Sequence, residues 1–146
     1  MRKYTIVPMP QGTFEGVSLT ARCVFGLIFD RWKLSMDDKD GRYWDDSVQN
    51  WYCYYAQDEL VKLLGISART VRRSLYELLE RGIVYWHKAD FRGHCRYYVG
   101  DLAQIELGVI SVQEAPRKSN NPAKLASQSG QIDRCNPVKL TGYHSI

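Results

Sequence analysis

An α+β fold follows from three features of the 146-residue sequence. Two helical periodicities meet across Leu64-Gly65-Ile66-Ser67, a short glycine-containing turn. Two β-prone runs, residues 83–88 and 95–99, come directly afterwards and are joined by a loop with Gly93 and charged residues at its tip. The helix between turn and hairpin has apolar residues on one side and arginines on the other. With one more helix upstream, that order predicts a winged helix-turn-helix: a three-helix core with a β-hairpin wing, followed by a disordered basic C-terminal tail. The expected boundaries are 1–108 for the domain and 109–146 for the tail.

Ser18 opens the first helix, because its side-chain oxygen can accept from the first free backbone N–H groups. Leu19, Val24, Leu27, Ile28 and Trp32 then recur at near-helical spacing, giving residues 18–34. Residues 35–50 break the pattern with five aspartates and the turn signal Asp40-Gly41, and read as an acidic loop with room for a short hairpin. Trp51-Tyr52-Cys53-Tyr54-Tyr55 suits a half-buried strand, expected to pair with the wing and cover the core rather than stack bases. Residues 57–64 form the next helix, with Leu60, Leu63 and Leu64 on one face, Asp58 and Glu59 in the first turn, and Gly65 as its stop. Ser67 begins the third, where Val71, Leu75 and Leu78 make the buried stripe and Gly82 ends it. Residues 102–107 hold one more short helix.

From Gln113 onward apolar periodicity disappears. The stretch from Ala115 has five basic residues against one acidic one and too little apolar surface to offset the entropy of ordering. Within it Asn121-Pro122-Ala123-Lys124-Leu125 returns as Asn136-Pro137-Val138-Lys139-Leu140, two copies too few for a solenoid.

Composition removes several function classes. No apolar run approaches the about 18–20 residues that span a membrane. The four cysteines lie far apart, without a Cys-x-x-Cys pair, so neither a disulfide scaffold nor a zinc site is expected and the cytoplasm is the expected compartment. Cys23 and Cys53 read as small buried hydrophobes, and His87, His94 and Cys95 as neighbours in one hairpin. No phosphate-binding loop, nucleophile elbow or zinc-protease helix occurs, and the Asp37, Asp38 and Asp40 carboxylates lack the glycine and distal glutamate of a calcium loop. No catalytic activity, metal or cofactor is expected.

The chemistry concentrates on the third helix. Arg69, Arg72, Arg73 and Tyr76 share the face opposite the apolar stripe, with Ser67 and Thr70 at the helix start. A duplex major groove admits one α-helix, whose N-terminal part reaches the base edges; arginine reads guanine or neutralises phosphate, and hydroxyls donate to phosphate oxygens. Lys88, Arg92 and His94 fall in or beside the wing, where a loop reaches backbone or minor groove. Residues 67–98 hold seven basic residues against three acidic, a surplus equal to the net +4 of the whole chain. Such asymmetry favours a polyanionic partner, because phosphate neutralisation releases counterions. The expected partner is therefore double-stranded DNA. A winged-helix transcriptional regulator shares each of these features, and a protein-interaction winged helix is the alternative without DNA.

Several segments resemble a family. Tyr4-Thr5-Ile6-Val7-Pro8, the run from Gly16-Val17-Ser18-Leu19-Thr20-Ala21-Arg22 through Leu27-Ile28-Phe29-Asp30-Arg31, the run from Gln57 through Ser67 and that from Thr70 through Val84 are similar to the plasmid replication initiator protein A family. The resemblance covers residues 4–99, the family's N-terminal winged-helix domain. It implies binding at the origin of a plasmid or mobile element in a Gram-positive-type bacterium, as a homodimer on repeated DNA sites, with host replication proteins as further partners. Two departures stand out. Ala56 takes the place of a Ser or Thr cap, which predicts a helix start weaker by about 1 kcal/mol. Relatives also carry a folded C-terminal domain where this chain has its basic tail, which implies a truncated or specialised initiator.

Overall fold

A computed structural model describes residues 4–88 and 95–109, with Lys88 described by its backbone alone. Residues 110–146 of the expected tail, and the loop that carries Arg92 and His94, lie outside the described residues, whereas Val109, placed in the tail, packs on the core. The elements run α1 (Leu19–Met36), β1 (Trp44–Asp45), β2 (Asn50–Trp51), β3 (Cys53–Tyr54), α2 (Gln57–Leu64), α3 (Ala68–Glu80), β4 (Val84–Lys88), β5 (Cys95–Val99) and α4 (Asp101–Glu106), with one 3-10 turn at Gly12–Phe14. The architecture is α+β: α1, α2 and α3 pack on one another, and a three-stranded antiparallel sheet of order β3-β5-β4 closes the core.

Local chemistry explains the helix ends. The Ser18 hydroxyl oxygen accepts from Ala21 N at 3.2 Å, capping α1 as expected, and the helix runs two residues past the predicted end because Met36 still packs on the core. Ala56 offers α2 no side-chain cap, but the Glu59 carboxylate accepts from Ala56 N at 3.2 Å, which satisfies one of the exposed amides. Gly65 stops α2 at φ 67, left-handed backbone that glycine adopts without a steric cost. Gly82 N donates to Leu79 O at 3.0 Å and Ile83 N to Leu78 O at 2.9 Å, the paired bonds that let α3 end abruptly and enter β4.

The core draws on every layer. Phe25, Ile28 and Trp32 come from α1, Leu60 from α2, Val71, Leu75 and Leu78 from α3, and Ile83, Tyr97 and Val99 from the hairpin; each is at most 1 % exposed. The Trp32 indole donates to Trp51 O at 2.9 Å, so the polar handle of a buried ring is satisfied. Two leucines of the apolar helical patterns face solvent: Leu19 occupies the first helical position beyond the core, and Leu63 falls off the side on which two-turn α2 leans. Cys53 is buried and desolvation pushes its thiol up to about 12, so it acts as a small hydrophobe, while Cys23 is only half-buried.

The aromatic run does not form one strand. It divides at Tyr52: β2 pairs with β1 (Trp44↔Trp51), whereas β3 pairs with β5 (Cys53↔Tyr97, Tyr54↔Arg96). Tyr52, Cys53 and Tyr55 are buried, as packing rather than base stacking requires. The acidic loop thus contains a small hairpin, and it is anchored. Tyr98 OH donates to Asp45 Oδ2 at 2.6 Å, Ser47 donates through both N and Oγ to Oδ1, and Arg96 lies 3.4 Å from Oδ2. His87 Nε2 sits 2.6 Å from the same tyrosine oxygen.

Burial works against the Asp45 charge, yet the Ser47 and Tyr98 hydrogen bonds with Arg96 nearby hold its carboxyl below the usual carboxylate range. A depressed folded-state pKa stabilises above the unfolded value, near 4, and that stabilisation is lost as pH falls through the folded value. Asp45→Asn is therefore expected to lower stability by about 1–3 kcal/mol at pH 7. In urea titrations the gap between variant and wild type should close as the pH drops below about 4.

Candidate nucleic-acid interface

Ala68, Arg69 and Arg73 are exposed in the N-terminal half of α3, and Glu80 at its other end. Ser67 caps it, its Oγ accepting from Thr70 N at 3.1 Å and lying 2.9 Å from Thr70 Oγ1. One hydroxyl proton is used between the two side chains, which leaves the pair one proton for an outside acceptor. Arg69 and Arg73 are exposed and Arg72 is half-buried. Among the described residues none of these three guanidinium groups makes a hydrogen bond or an ion pair with the protein, so all three charges face solvent. The opposite side, Val71, Ser74, Leu75 and Leu78, is buried.

Tyr76 belongs elsewhere. It was expected on the arginine face, but it is 4 % exposed and its ring meets Trp86 edge-on at 5.5 Å, with Tyr97 behind at 5.9 Å from Trp86. A helical period of 3.6 presumes one buried face, whereas α3 packs on α1 and α2 and also on β4, which it meets through Tyr76 and Trp86. Lys88 ends β4 opposite Cys95, which places its backbone at the loop end of the hairpin.

The family model for the replication initiator protein A (RepA) N-terminus matches residues 3–112, the whole described fold. This chain belongs to that family. A solved structure described as the N-terminal domain of a DNA binding protein is also similar, with TM-score 0.51 and 14 % identity over 66 % of this chain and 73 % of the other; at that identity the likeness concerns the fold. No curated protein sequence matches.

In this RepA N-terminus domain the basic surplus of residues 67–98 is spent unevenly. Arg81 is exposed but is engaged by the protein, donating to Glu15 O. Arg96 lies over the Tyr52 ring, 4.2 Å from its centroid, beside Asp45. Among the described side chains of residues 67–98, the cations with no hydrogen bond or ion pair to the protein are those of α3's first turns. Charge counting alone gave no signal of this division, because it depends on partners at sequence separations of 66 and 51 residues. Among the described residues no group of three or more His, Cys, Asp or Glu comes together as a metal site would need, and no helix is long and apolar enough to cross a membrane.

Because Tyr76 packs and the arginines do not, the two residue types should separate experimentally. Tyr76→Ala is expected to cost about 3–5 kcal/mol of folding stability. Arg69→Ala should change stability by no more than about 0.5 kcal/mol, since it removes no buried contact. Thermal and urea denaturation of both variants checks this.

Proposed function

We propose that this domain is the sequence-specific, double-stranded DNA-binding part of a plasmid or mobile-element replication initiator that recognises its origin. Three charged, unpaired guanidinium groups on the solvent-facing N-terminal half of a packed helix carry the reading. On it the fold is a winged helix-turn-helix, with α2 and α3 as the two helices and β4 and β5 as the wing. The first turns of α3 enter the major groove, where Arg69, Arg72 and Arg73 contact base edges or phosphates and Ser67 and Thr70 hydrogen-bond the backbone. Lys88, Arg92 and His94 serve as wing contacts to phosphate. Binding is non-catalytic and cytoplasmic, by a homodimer on repeated sites, with host replication proteins as further partners.

Selection of binding sites from random duplex tests the reading: the recovered sequence should recur in DNA flanking the gene, and a plasmid holding only the gene and that DNA should replicate. Failure to replicate despite specific binding would identify a transcriptional regulator instead. Absence of salt-dependent affinity for duplex would remove DNA as the partner. Arg72→Ala is expected to cost about 1–3 kcal/mol of binding and relax preference at one base position. Arg92→Ala should weaken binding to all sequences alike and reduce the salt slope by about one.

A further inference from the structure

The turn that leads into α1 meets α3 at two points of opposite polarity. Ser18 N donates to Glu77 Oε2 at 2.7 Å and Ser18 Oγ donates to Oε1 at 2.8 Å, while the same Oγ still accepts from Ala21 N. One helical turn along α3, the Arg81 guanidinium donates to Glu15 O. Gly16, between the two contacts, has φ +81, and a Cβ there would come within 3.2 Å of Arg81 Nη1. The turn is thus shaped to admit the guanidinium, and the carboxylate sits at the N-terminus of α1, where the helix dipole favours negative charge.

We infer that residues 15–18 form a two-point socket that sets the pose of α3, and that Glu77 and Arg81 are positioning residues for the DNA-reading face; the inference rests on the reading of α3 proposed above. Apolar packing fixes which side of α3 is buried but tolerates small slides and rolls between ridges. The socket does not tolerate them. Its donors and acceptor are ordered amide, hydroxyl, carbonyl, and α3 answers with carboxylate, then guanidinium. A slide by one turn would bring Arg81 against the Ser18 donors and leave the Glu15 carbonyl unanswered. Bonds to charged groups are the stronger and more directional kind. Arg69, Arg72 and Arg73 project from the other end of the same rigid helix, so a roll permitted at Glu77 is carried to them. Contact groups that read a sequence need placement within about 0.5 Å and 10–20°.

The test uses the full chain with Glu77→Gln, Ser18→Ala and, as a control that loses stability without touching the socket, Ile83→Val. The readout is affinity for the selected duplex relative to a random one, with its salt slope, at a temperature where all variants are folded. Glu77→Gln should lower that ratio about tenfold, with an unchanged salt slope because the phosphate-neutralising arginines remain. Ser18→Ala should lower it in the same direction, and Ile83→Val should leave it at the wild-type value. A wild-type ratio in Glu77→Gln, or an equal loss in Ile83→Val, overturns the socket. Residual dipolar couplings on the free protein separate the two ideas: α3 should be reoriented relative to α1 in Glu77→Gln, and an unchanged orientation overturns the socket even if DNA binding stands. A wild-type protein without preference among duplexes overturns the functional reading, and the couplings then decide the socket alone.

Discussion

The structure depends on α3 being held on two sides at once. Val71, Leu75 and Leu78 sink into the helical core while Tyr76 closes against Trp86 of the hairpin. Burying an aromatic ring of this size contributes several kcal/mol, and here it also joins helix to sheet. On the side of α3 away from both, Arg69 and Arg73 are exposed and Arg72 is half-buried. The same packing that stabilises the domain therefore defines which side chains can meet a partner.

Much of this was legible from the chain. Ser18, Gly65, Ser67 and Gly82 act locally, through caps and left-handed turns that need no tertiary partner, and the helix ends they mark lie within two residues of the expected places. The residues that departed from expectation are those whose fate depends on a distant element. Tyr76 has the spacing of an exposed residue and is buried by a strand eight or more positions away. Leu63 has the spacing of a buried one, but α2 leans on the core through Leu60, Val61 and Leu64. The aromatic run looked continuous because its composition is uniform, yet β1 and β5 each claim part of it.

Electrostatics follow the same division between local and distant. Asp38 and Arg42 pair four residues apart, at 2.7 Å, as spacing alone would suggest. Asp45, from the same acidic loop, is instead drawn under the sheet by Tyr98 and Arg96, so one carboxylate of the loop is structural while Asp37 and Asp40 are exposed. Arg96 is thereby removed from the cationic surface. The net charge of the chain is a weaker guide to its partner than the short list of cations that the fold leaves unanswered, and on the described side chains that list is concentrated at the start of α3.

Amide chemical-shift mapping during titration with the selected duplex tests the central claim most directly. Shifts and line broadening should centre on residues 67–73, with the Trp86 and Tyr97 amides behind α3 little affected. A response confined to other surfaces, with those residues silent at saturating DNA, would contradict the assignment of α3 as the reading element.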